Sequence, residues 1–592
     1  MKKSHRYNLA ITGNCHYLAY VNDDSSVDWM CWPYMDSSFI FGSILDKDKG
    51  GTFKVIPQSP FKTKQKYIEN TAVIVTTFFC EDGDFEVIDF APRFHIHDRS
   101  HKPLQFMRKI KRIKGQPRIT VICDPRGDYG ELVPEVSVGS NHISYKNLHY
   151  PLRLTTNAAK SYLIEKRDFT LTEDIYMVLS GGDPFEASLK ETFEEFFYKT
   201  IRYWRSWVKD TYIPNLFQKE IIRSAITIKL HQFEDTGAII ASGTTSLPEY
   251  PGSGRNWDYR YCWLRDSYFS LAALNSLGHF EEAEKYLHFI HNILYDISHL
   301  QPVYKINGEA EMPEREVPLA GYMGSGPVRV GNAAYYQKQY DSYGQVILSL
   351  LPLYMDERII HREQMLSLDT ITSLLNEIEK RMDEPDAGIW EFRGKRQKHL
   401  ETYIFHWAGA KAGIKIARHY QDTDLEDLAT RVLELATLNI EKCWDPKVEC
   451  YMSDQTLAYY DASAYLLILL NYLSPQDPKT LKHFKRLEKE LLSPEGMMYR
   501  YKAPDDFGDT HATFLICTYW YIEALVCLGY LDDAEKTLQN IIIHANHVGL
   551  LSEDLSSEDG GQWGNFPQTY SHVGLINSVC RLARKRDKQI FE

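Results

Sequence analysis

Apolar and polar positions alternate over short stretches in the first third of the chain, and beyond about residue 184 they recur at spacings of three and four. The early stretches Thr52-Phe-Lys-Val-Ile, Ala72-Val-Ile-Val-Thr-Thr-Phe-Phe, Phe85-Glu-Val-Ile-Asp-Phe, Arg118-Ile-Thr-Val-Ile-Cys, His142-Ile-Ser-Tyr and Phe169-Thr-Leu-Thr are β-branched or aromatic. Turn signals such as Asp82-Gly and Asp124-Pro-Arg-Gly divide them. Many short strands at close spacing predict an antiparallel β-sandwich over residues 1–183. Between 184 and 214 the pattern turns amphipathic and predicts one linking helix. Residues 215–592 read as helices joined by Gly- and Pro-bearing loops.

The predicted helices include Gln218 to Glu234, Asp266 to Leu277, Phe280 to Tyr295, Ile371 to Met382, Tyr403 to His419, Leu425 to Ile440, Thr456 to Tyr472, Thr510 to Leu528 and Leu531 to Ala545. Two stretches echo each other. Leu271 to Leu287 and Ile522 to Leu538 each end a helix at a glycine, Gly278 or Gly529, and begin another at once. Repeated hairpins could build an open solenoid or a closed toroid, and the copies keep no short fixed period, which favours the toroid. In a ring of paired helices, loops at one end of the inner helices converge on a funnel. Chemistry is therefore expected in loops.

Composition narrows the classes. A chain of 592 residues exceeds one ordinary core. Its 39 Tyr and 11 Trp offer flat faces and polar tips suited to sugars. A net charge of −13 argues against a nucleic-acid or anionic-membrane partner. Ten cysteines without CxxC spacing suggest reduced thiols in a cytoplasm, and neither a signal peptide nor a membrane-spanning run is read.

Four loops carry the candidate chemistry. In Asp386-Ala-Gly-Ile-Trp-Glu-Phe-Arg-Gly394, Glu391 stands between Trp390 and Phe392 with Arg393 near enough to tune it, an arrangement that makes general acids. Gly254 to Asp266 sets three arginines and two tryptophans before a helix start, where Asp266 is placed to serve as N-cap. Gly321 to Asn332 is rich in glycine but fits neither the dinucleotide nor the P-loop spacing, so no nucleotide site is expected. Gly549 to Asp554, followed by Gly564 to His572, sets a second acid beside an aromatic loop. His95, His97 and His101 lack a fourth ligand at metal spacing, and no metal or cofactor is expected.

The motifs Ser26-Val-Asp-Trp-Met-Cys-Trp-Pro33, the pair Phe41-Gly42, Asn256-Trp-Asp-Tyr-Arg-Tyr-Cys-Trp-Leu-Arg-Asp266, Gly324-Ser-Gly-Pro-Val-Arg-Val-Gly-Asn332, Gly388-Ile-Trp-Glu-Phe-Arg-Gly394, Phe514-Leu-Ile-Cys-Thr-Tyr-Trp520 and Gly564-Asn-Phe-Pro-Gln568 occur in family order. On them the chain resembles glycoside hydrolase family 15, in its bacterial and archaeal glucoamylase-like branch, over nearly its whole length. The resemblance implies an N-terminal β-sandwich, a helical linker and a C-terminal (α/α)6 barrel. It also implies exo-acting hydrolysis of α-glucosides with inversion. Glu391 matches the general acid and Glu553 the general base, with Asp554 the competitor of Glu553 and Glu384 a weaker one of Glu391. Arg265 and Asp266 match the pair that grips the terminal glucose. Trp257, Tyr259, Trp263, Arg329, Asn332, Trp390, Arg393 and His399 complete the candidate substrate contacts.

Inversion needs an acid to protonate the leaving oxygen and a base to activate water from the opposite face. The acid should be dry and held by Trp390, and the base wetter or better hydrogen-bonded. Ala320 and Met323 stand where relatives commonly carry larger polar residues, which bears on specificity. The leading expectation is release of glucose from maltooligosaccharides or α-glucans. α,α-Trehalase is the alternative, and glucodextranase, a disaccharide phosphorylase and a non-catalytic glycan-binding helical protein are further ones. An oligomer is compatible with the pattern.

Overall fold

The computed structural model describes residues 4–97, 99–182, 187–359, 367–456 and 459–586. The expected junction between sandwich and linker at 183/184 lies outside the described residues.

Two antiparallel sheets form the N-terminal part. One runs in the order Leu9–Gly13, Leu18–Asn22, Val27–Cys31, Thr52–Pro57, Arg118–Asp124 and Phe169–Thr170, with Phe39–Phe41 pairing on Val27–Cys31. The other runs Glu135–Val138, His142–Lys146, Leu152–Thr156, Ile175–Ser180, Gln105–Gly115, Gly83–Phe90, Ile74–Cys80 and Phe61–Tyr67. Met30, Phe53 and Val121 from the first sheet meet Phe85, Phe106 and Met177 from the second in a shared core. Alternate residues of the second sheet, such as Phe90, Met107 and Val178, point the other way and pack on Phe193 of the linking helix. The outer face of the first sheet, with Leu9, Ile11, Tyr20 and Trp29, joins the core of the helical part. Leu9–Gly13 and Leu18–Asn22 are buried on both faces, so these two strands read as continuous apolar runs rather than as alternation.

The helices are α1 (Lys160–Ile164), a short turn in the sandwich, α2 (Leu189–Lys209), the linker, and then α3 (Gln218–His231), α4 (Ser267–Ser276), α5 (Phe280–Ile293), α6 (Asp341–Met355), α7 (Leu368–Arg381), α8 (Leu400–Tyr420), α9 (Thr423–Lys442), α10 (Leu466–Leu469), α11 (Pro478–Leu491), α12 (Leu515–Leu528), α13 (Leu531–Ile542) and α14 (Thr569–Arg586). From α3 onward they form an (α/α)6 barrel. The even-numbered helices α4 to α14 touch in succession, and α14 returns to α4 to close the ring. The echo seen in the sequence is a pair of hairpins, α4–α5 and α12–α13, that stand on either side of α14.

Burial separates the layers. Nearly all of α12 is enclosed, whereas α13 buries Ala534, Leu538 and Ile541 along one stripe and shows acids elsewhere. Where α6 crosses α8, a side chain on Gly344 would lie 2.0 Å from the Phe405 carbonyl, so only glycine permits that approach.

Two expected helices change. The segment from Thr456 to Tyr472 is a 3-10 turn, Ala462–Tyr465, leading into α10, and residues 457–458 lie outside the described residues. The helix expected from Thr510 starts at Leu515, because Ala512–Phe514 pairs as a strand with Asp554–Ser556. The chain passes from an outer to an inner helix through long loops at one end of the ring, and from inner to outer through shorter links at the other. The long loops carry the motifs.

Candidate active site

A cavity at the long-loop end holds about 720 Å³ of atom-free space, the open solvent at its mouth included. Its walls come from the loops before α4, α6, α8 and α12.

Glu391 lies in this cavity at φ +61°, a left-handed conformation costly for a residue with a side chain and held by its surroundings. The Ile389 amide donates to Glu401 Oε1 at 2.8 Å and the Gly388 amide to Asp386 Oδ1 at 3.1 Å. Gln337 Nε2 donates to the Glu391 carbonyl at 3.1 Å. Trp390 Nε1 donates to the buried Asp461 at 2.7 Å, fixing the indole against Tyr501, Phe514 and Trp520. The Glu391 carboxylate accepts from Trp263 Nε1 at 2.6 Å and from Arg265 Nη1 at 3.1 Å.

The cation paired with Glu391 is therefore Arg265 rather than the adjacent Arg393. Arg393 turns to Glu314, with contacts at 2.9 and 2.7 Å, and lies 4.4 Å from the Trp257 ring centre. Asp266 does not cap α4 with its side chain, because its carboxylate is drawn to Arg265 Nε at 3.2 Å.

Glu553 is 1% exposed, drier than Glu391, whose side chain is 22% exposed. The base, expected to be wetter or better hydrogen-bonded, is the drier of the two, and it does accept hydrogen bonds. The cause is local: a three-stranded ladder and the Gly564-Asn-Phe-Pro-Gln turn close over Glu553. Gly564 has φ +73°, and a Cβ there would lie 2.6 Å from Glu553 Oε2. Tyr259 Oη donates to Glu553 Oε1 at 2.6 Å and the Asn565 amide to Oε2 at 3.3 Å. Burial and the neighbouring Glu249 push Glu553 up to about 7, against the hydrogen bond from Tyr259 and the charge of Arg500. Among the described residues neither oxygen of the fully buried Asp554 has a hydrogen-bond partner, and burial and Glu553 raise its proton affinity strongly.

Of the predicted contacts, Trp257, Tyr259, Arg265, Asn332, Trp390 and Arg393 line the cavity with Glu391. Trp263 and Asp266 stand just behind it, in contact with Glu391 and Arg265. Arg329 braces the loop before α4, donating to the Gly254 and Asn256 carbonyls at 2.9 and 3.2 Å. His399 is buried under the acid loop and stacks on Phe392 with centroids 5.9 Å apart. His572 is buried too, linking Ser224 and the Leu551 amide, and Glu384 is taken by Tyr340 Oη. Among the described residues no three His, Cys, Asp or Glu side chains come together to hold a metal, and no helix is long and apolar enough to cross a membrane.

Glu249, Arg255, Arg500, Tyr501, Asp505, Asp506 and Phe507 line the same cavity without having been singled out in the sequence. Arg255 is one of the three arginines noted in the Gly254–Asp266 loop, and for the residues from Arg500 to Phe507 the only signal was a charged stretch with paired aspartates, lying just before a helix drawn too long at its start. Arg255 holds Asp505 through both guanidinium nitrogens at 2.7 and 2.5 Å, and Asp506 accepts from the Arg393 and Gly394 amides at 2.6 and 3.0 Å. The 502–511 loop thus ties two opposite walls together.

The sandwich supports the loop before α4 from behind. Arg260, paired with Asp258, donates to the Ser37 carbonyl at 2.6 Å and to Tyr129 Oη at 3.0 Å, and Tyr7 Oη donates to the Gly564 carbonyl at 2.9 Å.

The model of the family described as glycosyl hydrolases family 15 matches residues 217–535, more than half of the chain. The chain belongs to this family. The family 15 chain is accordingly a glycoside hydrolase. A second model, described as trehalase-like, N-terminal, matches residues 5–172. Similar proteins include the trehalase of Thermoplasma volcanium, 28% identical with 96% of this chain and 92% of that protein covered. Others are the trehalase of Thermoplasma acidophilum, 29% identical with 94% and 96% covered, and that of Mycolicibacterium smegmatis, 29% identical with 97% and 91% covered. Among solved structures, a bacterial glucoamylase complexed with acarbose matches with a TM-score of 0.69 over 98% of this chain and 95% of that one, at 15% identity, a likeness of fold.

Proposed function

We propose that this family 15 enzyme is an inverting α,α-trehalase, with Glu391 as general acid and Glu553 as general base. The observation that carries the reading is the 502–511 loop, bonded to both the Arg255 wall and the Arg393–Gly394 wall. A loop tied across the cavity in this way favours a short substrate over a polymer lying in an open groove. The relatives named trehalase, which align with almost the entire chain, support trehalose over the maltooligosaccharide first expected.

In this reading the first glucose lies against Trp390 and Arg265, with Asp266 holding Arg265 from behind and the anomeric carbon between the two carboxyl groups. Protonated Glu391 gives its proton to the bridging oxygen while ionised Glu553 takes one from a water on the opposite face. The water oxygen bonds to the anomeric carbon as the bond to the bridging oxygen breaks, and the second glucose departs with the proton from Glu391. Arg265 and Trp263 hold the Glu391 oxygen in place, and Tyr259 holds that of Glu553. Preorganised groups of this kind act without rearranging during the reaction.

A panel of trehalose, maltotriose, isomaltose and soluble dextran, with and without phosphate, tests the assignment. Trehalose turned over at least about tenfold better in kcat/KM than the others, independent of phosphate as co-substrate, is the expected result. Preference for maltotriose returns the enzyme to glucoamylase-like specificity, and glucose 1-phosphate as product makes it a phosphorylase.

A further inference from the structure

Behind Glu553 lies a group of charges that the two-carboxylate scheme leaves unused. Glu249 is 3% exposed, forms part of the cavity wall, and accepts from Arg500 Nη2 at 2.5 Å and from Trp257 Nε1 at 3.4 Å. Arg255 Nε stands 4.0 Å from Glu249 while its other nitrogens hold Asp505. Asp554 adjoins Glu553 in sequence, and both lie against the backbone of Gly564. Four carboxyl groups, Glu249, Asp505, Glu553 and Asp554, thus share two guanidinium groups, Arg255 and Arg500. Tyr259, Tyr7, Cys517 and Tyr501, whose Oη donates to Asp505 at 2.7 Å, are further titratable groups facing the cluster.

Four buried carboxylates cannot all be ionised against two cations, because each unpaired buried charge lacks the solvent that would stabilise it. Arg255 is committed to Asp505 by two hydrogen bonds and Arg500 to Glu249 by one. Glu553 accepts from a hydroxyl and an amide. Asp554 alone of the four accepts no hydrogen bond among the described residues. It is the member for which ionisation costs most.

We propose that Glu249, Arg500 and Asp554 form a positioning unit behind the base, in which Asp554 is the neutral, proton-holding member and the Glu249–Arg500 pair sets the charge that Glu553 feels. The inference rests on Glu553 being the base. Glu249 touches the cavity but acts through Glu553 and is a positioning residue. The arrangement also distinguishes the two adjacent acids: Tyr259 and Asn565 prepare Glu553 for ionisation, and nothing equivalent prepares Asp554.

Charge bookkeeping gives the sign of each test. Glu249→Gln removes a negative neighbour of Glu553 and leaves Arg500 free to attract it, so ionised Glu553 becomes easier to form. The acid limb of kcat/KM against pH should move down by about one unit, the scale of a close charge. Asp554→Asn preserves the shape of a neutral carboxyl. In the wild type, a buried carboxyl that stays protonated when folded but ionises when unfolded makes stability fall as pH rises above the ordinary aspartate range. The slope of Tm against pH between about 5 and 8 should therefore be less negative in Asp554→Asn than in the wild type.

Both variants are measured as the full chain on trehalose or on whichever glucoside the substrate panel selects, and Tm needs no substrate. An acid limb unmoved in Glu249→Gln, or Tm slopes that coincide or differ in the opposite sense, overturns the proposal. Glu553→Gln is the separate control. If it turns over normally, the base assignment fails, whereas its inactivity together with an unmoved limb in Glu249→Gln rejects only the positioning unit.

Discussion

Tyr259 and Trp263 stand four residues apart in the loop before α4, pack edge to face with ring centroids 5.4 Å apart, and each donates a 2.6 Å hydrogen bond to a different catalytic candidate. Tyr259 holds Glu553 and Trp263 holds Glu391. One short segment thereby sets the spacing of two acids that come from loops far apart in the sequence. Arg260 and Asp258, gripped by the sandwich, fix that segment from the other side.

Replacing the acid tests its role first. Glu391→Gln keeps the hydrogen-bonding shape but has no proton to give, so kcat should fall about 10²- to 10⁴-fold. Calorimetric Kd for trehalose should change little, because Arg265 and Trp390 remain.

The pH profile should report Glu553. Its proton affinity is raised to about 7 and the base must be ionised, so kcat/KM should fall as pH drops below about 7. Tyr259→Phe deletes the hydrogen bond that favours the ionised form, and the acid limb should move upward, opposite to the shift in Glu249→Gln. Stopped assays from pH 4 to 9 check both signs.

Gly564→Ala probes the packing of the base. A Cβ 2.6 Å from Glu553 Oε2, on a residue at φ +73°, must displace the carboxylate and strain the turn. Destabilisation of about 1–3 kcal/mol from the backbone alone is expected, with a drop in kcat larger than any rise in KM. Thermal melts and steady-state kinetics separate the two.

Asp506→Ala removes the acceptor for the Arg393 and Gly394 amides. This wall of the cavity should loosen, raising KM for trehalose by about tenfold, or about 1.4 kcal/mol. Discrimination against maltotriose should fall with it. An unchanged selectivity ratio would separate the loop from specificity.

Much of the architecture was legible because period two and period 3.6 divide the chain cleanly near residue 184. The strands Leu9–Gly13 and Leu18–Asn22 carried no alternation, since both sheet faces are buried there. Helix α6 was hidden for a similar reason: an inner helix enclosed on most sides, with Gly344 for close approach and Pro352 within it, lacks an amphipathic stripe. The loop of Glu391 could be found from its aromatic neighbours, but the switch from Arg393 to Arg265 could not, because pairing across loops leaves no local pattern. Glu249 was invisible likewise. Its meaning comes from Arg500 and Glu553, each more than two hundred residues away along the chain.

The most direct test is proton NMR of the first turnovers on α,α-trehalose, before mutarotation mixes the anomers. With Glu553 directing water to the face opposite the bond that Glu391 protonates, the attacked ring leaves as β-glucose and the departing ring keeps its α configuration. Equal amounts of α- and β-glucose are predicted. Release of α-glucose alone would show retention and contradict the pairing of Glu391 with Glu553 on which this mechanism depends.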